Sequence, residues 1–79
     1  MDKEKILGVI KTVVNEISDI DPDEVTPECS FIMDLGLSSF ETLSIVSELE
    51  QQYNFKFSTK ALRSMSTVDE VADYILKNC

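Results

Sequence analysis

The sequence predicts an all-α fold: a small four-helix bundle with three main helices, one short helix and a long loop between the first two. Three observations lead there. Apolar residues recur at helical spacing in three separate segments. Two of those segments open on a Ser/Thr-x-x-Glu pair, the signature of a capped helix start. Both prolines, Pro22 and Pro27, fall between the first segment and the second.

The first helix is expected over Lys3–Ser18. Ile6, Ile10, Val13, Val14 and Ile17 form its apolar stripe, and Lys3, Lys11 and Glu16 are among its polar positions. Asp2 is placed to cap its start, and Pro22 marks where helix no longer continues. Asp19 to Leu37 shows no sustained period, and loops beyond about 12–15 residues are often functional. Phe31, Ile32, Met33 and Leu35 are expected to pin the end of this loop to the core.

The second helix is expected to begin at Ser38, with Ser38 and Glu41 as its capping box. Leu43, Val46, Leu49 and Tyr53 are assigned to its buried face, with Ile45 at the edge. Glu41, Ser44, Glu48 and Gln51 are assigned to its wet face, and Phe40 to the boundary. Phe55-Lys56-Phe57 reads as a connection, followed by a single-turn helix around Thr59–Arg63. The last helix opens at Ser66 or Thr67, with Thr67 and Glu70 as a second capping box and Val68, Val71, Ala72, Ile75 and Leu76 as its stripe.

With 79 residues, 43% of them hydrophobic, residues 1–79 are expected to form a single domain with a small core. A core of this size supplies roughly 3–5 kcal/mol. That leaves little room for a deep catalytic pocket, and presenting a group is the easier task. Fifteen acidic and seven basic residues give a net charge of −8. Such a surface repels nucleic acid and anionic membranes and attracts basic protein surfaces. No nucleic-acid or membrane partner is therefore expected, and the chain is expected to be a monomer. The N-terminus, Met1 to Leu7, lacks the apolar stretch of a secretory signal and the Arg-rich character of a transit peptide, so the default address is cytoplasmic.

Cys29 and Cys79 read as two free thiols rather than as a disulfide framework. The absence of histidine excludes Ser-His and Cys-His catalysis and any His-ligated metal site. Asp19-x-Asp21-x-Asp23 looks at first like a calcium loop, but Glu24 stands where that pattern needs glycine and Ser30 where it needs glutamate. A solvated acidic loop is the expected description, and no metal site is assigned.

The chemistry is expected in Phe31-Ile32-Met33-Asp34-Leu35-Gly36-Leu37-Ser38-Ser39-Phe40-Glu41-Thr42-Leu43. Gly36 permits a tight turn. Ser39 then falls at the first helical position, beside unpaired N–H groups at the positive end of the helix dipole. An ordinary helix-start serine is the bland alternative there, since serine is common at such positions.

This segment resembles the acyl carrier protein family, whose signature reads D-L-G-x-D-S-L at the start of the second helix. Asp34, Leu35 and Gly36 match outright, Phe31 matches a common aromatic, and Glu41 stands where the family often has an acid. The resemblance extends over nearly the whole chain, including the long first loop and a last helix opening Thr67-Val68-Asp69-Glu70-Val71. It implies that Ser39, three residues past Gly36, carries 4′-phosphopantetheine taken from coenzyme A by a phosphopantetheinyl transferase. The arm's thiol would hold acyl groups as thioesters for acyl-transferring and chain-modifying enzymes with basic docking surfaces. No catalytic residue is expected in the chain itself.

Ser38, Phe40, Glu41, Ser44 and Glu48 are the expected docking residues around Ser39. The bland reading of the acidic ones is a soluble helix face. Two departures from the family stand out: Ser38 replaces the usual aspartate and Phe40 the usual leucine. Leu43, Val46 and Leu49 read as core; by the resemblance, some of them also line a cleft that shelters an acyl chain. Fatty-acid or polyketide-type cargo is the first expectation. An aminoacyl or peptidyl carrier of a nonribosomal-peptide or related loading system is the alternative, and an unmodified helical adaptor is the alternative from another class.

Overall fold

The computed structural model describes residues 2–79. Four α-helices, α1 (Lys3–Ser18), α2 (Ser39–Tyr53), α3 (Thr59–Ser64) and α4 (Val68–Asn78), pack around one apolar core. α1 starts where expected: Asp2 Oδ1 accepts from the Glu4 N–H at 2.9 Å. It stops at Asp19, which turns into the left-handed region with φ 57°. Ile6, Ile10, Val13 and Val14 are buried against α2 and α4. Ile17, in the last turn, is not.

The loop from Asp19 to Ser38 is more ordered than its irregular pattern suggests. A 3₁₀ turn at Pro22–Glu24 is capped by Asp21, and Val25 beyond it is fully buried. Ser30 forms an antiparallel bridge with Thr67. Around that bridge the Phe31 N–H donates to the Ser66 carbonyl at 3.1 Å, and the Val68 and Asp69 N–H groups donate to the carbonyls of Cys29 and Pro27 at 3.0 and 2.9 Å. Backbone groups that a long loop would leave to water are thus paired with the start of α4.

The expectation for residues 31–35 needs correction. Phe31 is buried and Leu35 packs on the core, but Ile32 and Met33 are exposed. The segment doubles back, with the Asp34 and Leu35 N–H groups both donating to the Ser30 carbonyl, and the tip of this turn, Ile32 to Asp34, stands in solvent. Leu37 takes the anchoring place instead.

α2 is rotated relative to the expected stripe. Ile45, placed at the edge, is fully buried, and Leu43, placed in the core, is 58% exposed. Glu41, Ser44 and Glu48, assigned to the wet face, are half-buried. Apolar residues at 43, 45, 46 and 49 span more of the helix circumference than one contact face covers. α1 settles the matter by packing along the Glu41 side, where Ser18 Oγ donates to Glu41 Oε2 at 2.9 Å. That pulls Ile45 inward and leaves Phe40, Leu43, Ser47 and Gln51 as the outer face.

Phe57, read as connector, is buried, and its ring stacks on Tyr74 of α4 with centroids 5.0 Å apart. The Tyr74 hydroxyl accepts from the Ser58 N–H, tying the start of α3 to α4. α3 itself buries only Ala61. α4 runs as expected behind its Thr67–Glu70 box, except that Leu76, on the terminal turn, is partly exposed. Cys29 and Cys79 are free thiols. Lys3 pairs with Asp69 and Asp73 at 2.6 and 2.9 Å, a surface contact joining α1 to α4. Among the described residues, no helix is long and apolar enough to cross a membrane. Nor does any group of three or more Asp, Glu or Cys side chains among them form a cluster able to hold a metal ion.

Candidate functional site

The site is built around the first turn of α2. Gly36, at φ 68°, occupies backbone space that side-chain-bearing residues avoid, and it redirects the chain into the helix. The Leu37 N–H then donates back to the Phe31 carbonyl at 3.0 Å, closing the approach. Ser38 is the cap: its Oγ accepts from the Glu41 N–H and its own N–H donates to Glu41 Oε1, both at 3.1 Å. Its hydroxyl is therefore engaged by the helix.

The Ser39 side chain is exposed at the first helical position. Among the described residues, neither its hydroxyl nor the N–H groups of Ser39 and Phe40 have a hydrogen-bond partner. These two amides are the first orphan donors of the helix and lie at the positive end of its dipole. A phosphodiester on Ser39 Oγ would meet donors and a field worth about 0.3–1 kcal/mol. An exposed oxygen with open donors beside it fits an attached, negatively charged prosthetic group.

The Glu41 carboxylate is engaged at both oxygens. The Ser38 N–H first, and then the Ser18 hydroxyl, hold its carboxyl below the usual carboxylate range. One oxygen completes the cap and the other ties α2 to the end of α1. Of the other expected docking residues, Phe40 is 79% exposed immediately after Ser39. Ser44 lies one turn on, with its hydroxyl donating to the Phe40 carbonyl. Glu48 is a further turn away, accepting from Gln52. The structure thus brings Ser38, Ser39, Phe40 and Glu41 together and leaves Ser44 and Glu48 along the α1 seam.

Sequence reasoning missed four features. Leu43 adds to the apolar surface of Phe40, and Met33, the most exposed large apolar side chain among the described residues, stands before Gly36 in the approach to α2. A shallow cleft lined by Phe31, Ile32, Met33, Thr42 and Met65 opens where the first turn of α2 meets the end of α3. Ser18 as partner of Glu41 had no sequence signal, because the two are 23 residues apart.

A capped helix that follows a Gly turn and offers an exposed serine on its first turn has room there for a covalently attached group. The chain belongs to the acyl carrier family defined by a phosphopantetheine attachment site, which matches residues 8–75. It is 32% identical to an acyl carrier protein of Rubrobacter xylanophilus over 78 residues, covering 99% of this chain and 96% of that one. It is 31% identical to an acyl carrier protein of Coprothermobacter proteolyticus, covering 95% of that chain. A meromycolate extension acyl carrier protein of Mycobacterium leprae is 35% identical over 75 residues, and there the chain spans 65% of the longer relative. The covalent cofactor of this family is 4′-phosphopantetheine. Neither the aminoacyl alternative nor the unmodified adaptor is favoured by these relatives.

Proposed function

We propose that Ser39 is the attachment residue and that residues 1–79 work as one carrier domain for fatty-acid or polyketide-type acyl groups. The observation that carries this reading is the division of labour between two adjacent serines: Ser38 is committed to the cap, and Ser39 is exposed beside two open amides. When bound, the arm supplies a thiol that holds cargo as a thioester. The chain holds the phosphodiester at the helix start, keeps the arm's root outside the core, and raises the local concentration of cargo at a visiting enzyme. It supplies no catalytic group of its own.

Its partners are a phosphopantetheinyl transferase and the enzymes that load and modify the acyl chain. Contacts cluster around Ser39: Ser38 and Phe40 directly, Glu41, Ser44 and Glu48 along the flank. The acidic character of residues 12–55, which hold ten carboxylates and no basic side chain, suits partners with basic surfaces. The working compartment is the cytoplasm.

Incubation with a promiscuous phosphopantetheinyl transferase and coenzyme A, followed by intact-mass measurement, tests the assignment. The expected result is one phosphopantetheine mass increment, lost in Ser39→Ala and retained in Ser38→Ala. No increment, or one that survives Ser39→Ala, removes the proposal.

A further inference from the structure

Charge is sharply segregated along this chain. Residues 12–55 contain no Lys or Arg, whereas residues 56–66 contain Lys56, Lys60 and Arg63 and no Asp or Glu. In a protein of net charge −8, this short stretch holds three of the seven basic residues. All three are exposed. Among the described residues, Lys3 alone has a carboxylate within ion-pair distance, so Lys56, Lys60 and Arg63 stand without one. Lys60 shares a groove with Glu70 and Asp73, but those carboxylates are already committed, Glu70 to the start of α4 and Asp73 to Lys3.

The end of this basic stretch reaches the first turn of α2 through Met65, while Lys60 lines the groove against α4. Lys60 and Arg63 are three residues apart on α3 and therefore share a helix face. Met65, two residues after Arg63, lines the same cleft as Thr42 in the first turn of α2. An enzyme whose active site receives an arm rooted at Ser39 therefore covers the outer face of α2 and has the α3 edge within reach. α2 itself offers no positive charge near Ser39, since residues 12–55 carry no basic side chain and Glu41, held by Ser38 and Ser18, adds only negative charge.

We propose that α3 is a second docking element of opposite sign, in which Lys60 and Arg63 meet carboxylates on the enzyme that acylates the arm. The partner surface is thus two-signed: basic toward the acidic bulk of the domain and acidic opposite α3. A two-signed match fixes orientation as well as attraction, since a rotated docking sets like charges together. This inference rests on Ser39 being the attachment residue.

The test uses the holo protein and a malonyl-transferring acyltransferase, with loading kinetics measured at low and high ionic strength. Lys60→Glu combined with Arg63→Glu is expected to lower kcat/KM about tenfold at low salt, through KM with kcat unchanged. The Lys60→Gln/Arg63→Gln pair is expected to fall between, and Lys60→Arg/Arg63→Lys to match the wild type. The differences shrink in high salt as screening shortens the range of the interaction. The sign is decisive. If partners are uniformly basic, a more acidic carrier associates faster, and an unchanged or increased kcat/KM for the Glu pair overturns the proposal. Loading of the unsubstituted holo protein in the same assay separates failure here from failure of the acyl-carrier reading.

Discussion

α2 and α4 open on the same signature, Ser38-x-x-Glu41 and Thr67-x-x-Glu70, and both form a complete capping box. Beyond the box they differ. At α4 the loop carbonyls of Cys29 and Pro27 take the N–H groups of Val68 and Asp69, so the first turn is sealed. At α2 the equivalent donors, on Ser39 and Phe40, face solvent without a partner among the described residues. The bodies of the helices differ in the same sense. The apolar stripe of α4 is buried apart from Leu76, whereas α2 leaves Phe40 and Leu43 outside. One helix start completes the fold, and the other is left open where attachment is proposed.

The largest effect that separates the two faces of α2 is in stability. Ile45→Ala removes a fully buried side chain and is expected to cost about 2–5 kcal/mol. Leu43→Ala, on the exposed face, is expected to stay within about 0.5 kcal/mol. Denaturant unfolding of the two variants decides it. Comparable losses would mean that α2 presents Leu43 to the core and that its contrast with α4 is false.

Amide hydrogen exchange tests the helix starts directly. The Val68 and Asp69 amides, each bonded to a loop carbonyl, are expected to exchange about one to two orders of magnitude more slowly than those of Ser39 and Phe40, after correction for intrinsic rates. Attachment of phosphopantetheine should then slow Ser39 and Phe40 and leave Val68 and Asp69 unchanged. Equal protection of the two starts in the unmodified protein would contradict the open-start description.

Local chemistry explains what could be read from the sequence. Asp2, Ser38–Glu41 and Thr67–Glu70 fix three helix starts because a cap and its target lie within three residues. The place of Ser39 at the first helical position was legible by its spacing from Gly36, and its proposed role came by resemblance. The rotation of α2 was not, because the choice between Leu43 and Ile45 depends on where α1 lies, as the Ser18–Glu41 contact shows. The seal at α4 was equally hidden. It is made by backbone carbonyls of Pro27 and Cys29, some forty residues away, and a carbonyl carries no mark of residue type. The open start of α2, which favours the function, was therefore visible only by contrast with a closed one.

Acid sharpens the same comparison with the smallest effect. Both capping-box carboxyls sit below the usual range: Glu70 because of the Ser66 N–H first and the Thr67 N–H next, Glu41 because of the Ser38 N–H and then Ser18. A depressed folded-state pKa contributes stability that is present above the unfolded-state value, about 4.3, and is lost as pH falls through the folded-state value. Glu70 Oε1 collects the Ser66 and Thr67 N–H groups at 2.9 and 3.0 Å with both hydroxyls at 3.2 Å, whereas each Glu41 oxygen has one donor. Glu70→Gln is therefore expected to lower Tm at pH 7 more than Glu41→Gln does. Each substitution removes one negative charge from a chain of net −8, so relief of general repulsion is nearly common to both. The gap between the variants should close as the buffer is taken below the ordinary glutamate range, where the wild-type carboxyls protonate as well. A gap that persists or widens in acid would show that the sealed start of α4 owes nothing to the charge of Glu70.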